Sequence, residues 1–324
     1  MAIDSVSVTP AVAAPAPSRP RRPGRGGASR RPSHWWVPWA FAAPGLILFA
    51  MTTGYPLIRS LQISFYKWSV LPTQASTFIG ADNYLRALGD AQFWTSLANA
   101  GVYLLMTVPA TVAIGLFFAI LLHAKIPGRT TFRVLFYIPV VTSWVVVSLL
   151  FKFLFTTDDG AINWFLTDFL HVTQQGVPWL EQRWTALIAV SVLGVWKNLG
   201  WCLVVFLAAL GGVGEELYEA ASLDGANAWH KFVNVTLPGI RGTLLFVTVL
   251  QVIGAFNVFP SVLLMTNGGP AGSTEVPLTY MYKQAFSFLD FGYGSAMSFI
   301  LAIFIFVVSY LQFKFLGEKK EMVK

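Results

Sequence analysis

The stretch Glu215-Glu216-Leu217-Tyr218-Glu219-Ala220-Ala221-Ser222-Leu223-Asp224-Gly225-Ala226, followed by Phe232, Leu237 and Pro238, is a polar island between two long apolar runs. Glu215 and Glu216 stand where acidic side chains complement the positive end of a helix dipole. Glu219 to Leu223 favours helix, and Asp224-Gly225 signals a stop or turn. Ala226 to Val235 supports a second short helix, which Leu237-Pro238 ends. A helix–turn–helix elbow is therefore expected over residues 211–241. Its paired alanines and its glycine leave a smooth surface on which another protein can pack closely. The flanking runs, residues 184–210 and 243–265, are each long enough to cross a hydrocarbon core, which takes about 20 helical residues.

Working outward, the whole chain has this character. Of its 324 residues 55% are apolar and 11% charged, where soluble domains carry about 25% charged residues. The mean hydropathy is +0.61. A cytosolic enzyme, a disulfide scaffold and a disordered tail protein are excluded as descriptions of the whole chain. Six runs are expected to span: residues 35–58, 97–122, 134–151, 184–210, 243–265 and 295–313. They lack the period-2 alternation of a membrane barrel, and backbone groups in lipid must be satisfied within the segment. The fold class is thus all-α integral membrane protein. Internal residues such as Pro44, Pro109, Pro139 and Gly254 are tolerated in such helices. Residues 1–34, rich in Ala, Pro, Ser, Gly and Arg, are expected to be a disordered basic tail. Ser29-Arg30-Arg31 faintly resembles a twin-arginine signal, but the run after it is too long for a cleaved segment and is read as an anchor.

Basic residues set the orientation. Fifteen of the 22 lie on one side: six arginines of the tail, Lys125, Arg129, Arg133, Lys231, Arg241, Lys314, Lys319, Lys320 and Lys324. Six lie on the other, and Lys197 falls within a span. Six spans with both termini cytoplasmic are expected, in the plasma or inner membrane. The net charge of +7 is then a topology signal. Nucleic-acid binding is not expected, because no basic stripe with interleaved aromatics accompanies it. Cys202 is the only cysteine and the four histidines are scattered, so neither a disulfide nor a metal site is expected. No phosphate-binding loop occurs, and no catalytic residue is assigned.

The elbow resembles the "EAA" loop of permease subunits of ABC importers. Glu219, Ala220, Ala221, Gly225, Leu237 and Pro238 carry the match, and Asp224, Ala226 and Phe232 agree with its sugar-importer subgroup. Val235 stands where the family commonly has Ile, and Gly214 where it often has Pro. Phe78-Ile79-Gly80-Ala81-Asp82-Asn83-Tyr84, Thr266-Asn267-Gly268-Gly269-Pro270 and Gly292-Tyr293-Gly294-Ser295-Ala296 resemble three further family segments in the same order. The chain is similar to the maltose- and glycerol-phosphate-permease-like members. The resemblance implies the type I importer permease fold and an alternating-access pathway for a sugar. It implies a second homologous permease, a heterodimer being expected, and two copies of a cytoplasmic ATPase subunit that dock on the elbow. It also implies an extracytoplasmic solute-binding protein, met by Gly268, Gly269 and Pro270. ATP and Mg belong to the ATPase, and this chain binds no cofactor.

For the pathway itself the candidates are Trp196, Lys197, Asn198 and Trp201; Gln251, Phe256 and Asn257; and Tyr137 and Ser143, beside Thr142 and Trp144. Aromatic faces stack on the C–H surface of a sugar, and amides pair with its hydroxyls. A charge at mid-membrane is costly, about 2.5–3.5 kcal/mol on insertion scales, so Lys197 faces either a wet cavity or a neighbouring helix that it ties. Gln251 and Asn257 are six apart, roughly 240° around a helix, and share a cavity only if the helix is broken, which Gly254 allows. Helix-to-helix bonding by these amides is the competing reading.

A phosphorylated polyol such as glycerol-3-phosphate is the alternative solute, with Lys197 as anion partner. A secondary transporter is the alternative class, but it predicts acidic residues within spans or inverted repeats, and all 15 acidic residues lie outside. A membrane-embedded enzyme would want a carboxylate or histidine cluster, for which Asp158-Asp159 lacks partners.

Overall fold

The computed structural model describes residues 36–70, 75–124 and 127–316. The tail at residues 1–34, Lys125 and the last three lysines lie outside the described residues. The chain divides into two units, Met1–Tyr55 and Pro56–Lys324. In the first, α1 (Val37–Phe49) has Pro38 in its opening turn, where a missing N–H leaves nothing unsatisfied, and passes into a wider π-type turn at Ala50–Gly54. Trp39, Phe41, Leu48 and Phe49 are all exposed. A helix apolar all round suits a hydrocarbon surrounding.

The second unit opens with α2 (Tyr55–Ser64), then a short antiparallel ladder of β1 (Tyr66–Lys67) and β2 (Thr77–Phe78) with Tyr66 opposite Phe78. α3 (Asp82–Gly89), α4 (Ala91–His123), α5 (Arg129–Val141), α6 (Trp144–Leu154) and α7 (Ala161–Trp164) follow. Next come α8 (Arg183–Leu210) and three short helices, α9 (Glu215–Leu223), α10 (Ala228–Lys231) and α11 (Leu237–Gly239). The chain closes with α12 (Arg241–Phe256), α13 (Pro260–Met265), α14 (Pro277–Tyr282) and α15 (Phe291–Leu316). Among the described residues five helical runs are long and apolar enough to cross a membrane: Val37–Ser64, Ala91–His123, Arg183–Leu210, Arg241–Met265 and Phe291–Phe315. α5 and α6 make a sixth if the pair is one broken span.

That pair differs from the single helix expected over residues 134–151. α5 ends at Val141, Thr142 and Ser143 are extended, and α6 leaves at 96°. Pro139 has no N–H for the ladder, and the Thr142 hydroxyl bonds back to its carbonyl at 2.7 Å.

α4 and α8 form the centre of the unit. They approach closely because α8 carries glycine at the crossings: a Cβ on Gly194 would meet the Tyr103 hydroxyl, and one on Gly200 would meet the Phe136 carbonyl of α5. Small residues at crossings are how membrane helices gain contact without a hydrophobic drive between them. Two apolar clusters result. The larger gathers Phe93, Leu97, Val190, Leu193, Met265, Tyr293 and Met297. The smaller gathers Leu116, Ala119, Phe206, Leu210, Ile240 and Val247. The starts of α4, α8 and α15 lie at one end, and the ends of α4 and α8 meet the start of α12 at the other, so α4, α8 and α15 run parallel to one another and α12 runs antiparallel to them.

Candidate functional site

Three sites grow from this arrangement. The first is a cavity of about 260 Å³, near the small end of ligand pockets, about 300 Å³. Tyr103, Thr107 and Thr111 enter it from α4, Trp144 from α6 and Asn198 from α8. Gln251 and Gly254 enter from α12, with Asn257, Phe259 and Ser261 from the join of α12 to α13. Gln251 and Asn257 do share this cavity. The break that permits it lies at Asn257–Phe259, between the end of α12 and Pro260 at the start of α13, and Gly254 stays helical. The lining combines an indole, a phenol, amides and hydroxyls with apolar walls.

The amides are oriented by the protein. Asn198 Nδ2 donates to the Gly194 carbonyl at 2.8 Å, and Asn257 Nδ2 to the Ile253 carbonyl at 2.8 Å. Gln251 Nε2 lies 2.9 Å from Cys202 Sγ. Ser261 Oγ is buried with no hydrogen-bond partner among the described residues.

The other pathway candidates do not line this cavity. Lys197 is 4% exposed. Its Nζ donates to the carbonyls of Pro139, Val140 and Thr142 and lies 5.4 Å from the Trp144 ring centroid. It caps the C-terminus of α5, where backbone carbonyls otherwise lack donors. Trp196 packs on Phe151, with ring centroids 5.4 Å apart. Trp201 packs on the smaller cluster. Phe256 is buried against Phe304. Tyr137 and Ser143 are exposed. Conversely, Tyr103, Thr107, Thr111 and Ser261 line the cavity without having been singled out in the sequence. Asn99, Tyr103, Thr107 and Thr111 follow one another at steps of four, a single helix face, and that spacing was the available signal.

The second site is the elbow. α9 ends at Asp224, and Gly225 adopts a left-handed φ of +76°. The Ala226 N–H then bonds the Ala221 carbonyl at 2.9 Å and the Gly225 N–H the Ser222 carbonyl at 3.1 Å, a Schellman closure. Asn227 Oδ1 accepts the His230 N–H at 2.9 Å and starts α10. Tyr218 to Thr236 (3.0 Å) and Lys231 to Ser222 (2.7 Å) brace the two arms. Phe232 and Leu237 pack into the smaller cluster and fix the elbow to the bundle. Glu219, Ala220, Asp224, Gly225 and Pro238 are exposed, Ala221 and Ala226 half-buried. Leu223 is 90% exposed and Trp229 67%.

The third site is the loop after α13, at the opposite end. Asn267, Gly268, Ala271 and Gly272 all have positive φ, and Gly269-Pro270 is cis. Asn99 holds the loop by donating to the Ser273 and Glu275 carbonyls, and Gln92 holds it through the Gly272 carbonyl. Glu275, 3% exposed, pairs with Lys283 at 2.8 Å. Beside it Asp90 starts α4 by accepting the Gln92 and Phe93 N–H groups, and it accepts the hydroxyls of Tyr280 and Tyr293. Burial pushes the Asp90 carboxyl up, but these hydrogen bonds together hold it below its ordinary value. Tyr280 is pushed up to about 12, by burial first and then by the Asp90 carboxylate. Arg86 stacks on the Tyr293 ring and pairs with Asp290 at 2.6 Å.

Residues 103–316 match the family model described as binding-protein-dependent transport system inner membrane component. The arabinooligosaccharides transport system permease protein AraP of Halalkalibacterium halodurans is 34% identical over 88% of this chain and 89% of its own length. The lactose transport system permease protein LacF of Rhizobium radiobacter is 31% identical over 87% of this chain and 94% of its own. Among solved structures, a chain of a bacterial ABC transporter involved in import of the acidic polysaccharide alginate superposes with a TM-score of 0.76 at 21% identity, covering 88% of this chain and 96% of that one. The chain belongs to the family of binding-protein-dependent transport system inner membrane components, among ABC importer permeases of the carbohydrate-uptake kind.

Proposed function

We propose that this chain is the permease subunit of an ATP-driven sugar importer, with six spans, both termini in the cytoplasm and the cavity as part of the translocation path. The observation that carries the reading is one of placement. A cavity lined by hydroxyls, amides and aromatic rings draws on the middles of α4 and α8, with a braced elbow at one end of the bundle and a clasped loop at the other. Sugars offer hydroxyls to pair and C–H faces to stack, which such a lining satisfies. Relatives named for arabinooligosaccharide and lactose transport support a carbohydrate solute.

In this reading the elbow residues Glu219 to Ala226 seat on a separate ATPase subunit, two copies of which bind ATP and Mg. Closure of the ATPase pair moves the elbow, and Phe232 and Leu237 carry that movement into the bundle. The chain itself does no chemistry. A second, homologous permease completes the path, and a solute-binding protein delivers sugar to the loop at Gly268 to Pro270. The excess of basic residues on the elbow side supports the cytoplasmic assignment of that end.

The test is uptake of radiolabelled sugar by cells carrying the whole transporter with Gly225→Arg. The expected result is abolished uptake with normal amounts of assembled permease in the membrane. Normal uptake by the assembled variant would refute coupling through the elbow.

A further inference from the structure

We infer that the cavity selects an uncharged, hydroxyl-bearing solute and excludes anionic ones, with Ser261, Asn198 and Asn257 as specificity-determining residues. This rests on the reading of the cavity as the sugar path. No Asp, Glu, Lys, Arg or His lines it among the described residues. The buried cation next to it in sequence, Lys197, is not available. An ammonium has three N–H donors, and all three are taken, by the carbonyls of Pro139, Val140 and Thr142.

The amide chemistry points the same way. A backbone carbonyl only accepts, so the neighbours of Asn198 and Asn257 fix which end of each amide faces them: the nitrogen. Each amide retains its acceptor oxygen and the second N–H of its nitrogen. Such donor-and-acceptor groups match the hydroxyls of a neutral sugar in both senses, whereas an ionised phosphate or carboxylate group, which only accepts, leaves the amide oxygens unpaired and loses hydration without gaining a cation. Ser261 completes the set. Its hydroxyl is fully buried, lines the cavity and has no partner among the described residues, while a hydroxyl both donates and accepts. A sugar hydroxyl matches it in either sense. Trp144 and Tyr103 supply ring faces for the C–H surface. The fold as such does not impose neutrality, because the structural neighbour at 21% identity belongs to an importer of an acidic polysaccharide. The restriction lies in these side chains.

The experiment is ATP-dependent uptake by the complete transporter in membrane vesicles, with its own binding protein. One panel is neutral: mono- to pentasaccharides of arabinose, galactose and glucose. The other is anionic: glycerol-3-phosphate, hexose phosphates and uronate oligosaccharides. The expected result is uptake from the neutral panel alone. Ser261→Ala should raise the apparent KM for the carried sugar about three- to tenfold, the size of one lost hydrogen bond, with the maximal rate within about twofold. Asn257→Leu should raise it likewise. Uptake of an anionic probe at a rate comparable to a neutral one overturns the selectivity and leaves the sugar-permease reading standing. Uptake of nothing from either panel overturns that reading, and this inference with it. Unchanged KM in both variants overturns the role given to these side chains.

Discussion

The Lys197 ammonium lies 2.7 Å from the Thr142 carbonyl, across the point where α5 turns into α6. One side chain of α8 thus caps the end of another helix and shapes the cavity wall, since Trp144 begins α6 two residues on. Lys197→Met removes the donor from three backbone carbonyls at a largely buried site. Leaving buried acceptors unsatisfied costs about 1–3 kcal/mol, so the purified transporter should melt at lower temperature in detergent. Lys197→Arg, which keeps charge and donors, should recover part of the loss. Equal melting temperatures for wild type and Lys197→Met would mean that the cap adds nothing.

Gly225 has open space around its missing side chain but a φ of +76°. The strain is in the backbone, where a non-glycine residue costs about 1–2 kcal/mol. Gly225→Ala should therefore leave the bundle intact, loosen the Schellman closure, and raise amide hydrogen exchange at Gly225 and Ala226. Exchange no faster than wild type there would contradict this.

Gly200 and Gly242 separate crowding from conformation. A Cβ on Gly200 collides with the Phe136 carbonyl, whereas one on Gly242 meets nothing within 4 Å. Gly200→Ala should destabilise by about 1–3 kcal/mol, as overpacking does, and lower the yield of folded protein. Gly242→Ala should match wild type. Thermal melts of the two variants side by side decide the point.

Asp90 gives a dependence on pH. Its folded-state value lies below the ordinary 3.8, so its contribution is fully present above that pH and is lost as pH falls through the folded value. The difference in melting temperature between wild type and Asp90→Asn should be constant at pH 6–8 and shrink below about pH 4. Tyr280 acts at the other extreme. Its hydroxyl, ordinarily at 10.0, is raised to about 12, so its contribution holds below pH 10 and is lost as pH rises through 12. A Tyr280→Phe variant should lack that alkaline loss.

The all-α membrane class, most of the apolar runs and the elbow were legible because each depends on local chemistry: length, apolar content, and an Asp-Gly stop after an acid-opened helix. The 96° turn within the third run was not, because Pro139 alone permits straight or bent helices, and the donor that stabilises the bend comes from Lys197, 55 residues away from Thr142. The same distance hid the use of the charge. From sequence, Lys197 was equally suited to a wet cavity or to a neighbouring helix, and only the positions of three carbonyls distinguish them. The cavity was half legible. Asn198, Gln251 and Asn257 are conspicuous in apolar spans, while Tyr103, Thr107 and Thr111 are residues that membrane helices carry for many reasons and became meaningful through Gly194, which lets α8 come close enough for that stripe to matter. Ser261 gave no signal, since its importance is the lack of a partner.

The cluster around Asp90 has a consequence for depth. Lipid holds an apolar helix within the hydrocarbon but sets its height only loosely, because sliding exchanges one apolar residue for another. Asp90, joined to Tyr280 and Tyr293, acts as a waterline mark on α4. A slip of one turn, about 5.4 Å, would either submerge a carboxylate or tear it from two phenols. Tyr103 lies thirteen residues further along, about 20 Å at 1.5 Å per residue. The level at which the cavity floats in the membrane is therefore gauged from a loop outside it, and a change at Asp90 is expected to be felt as a cavity at the wrong height.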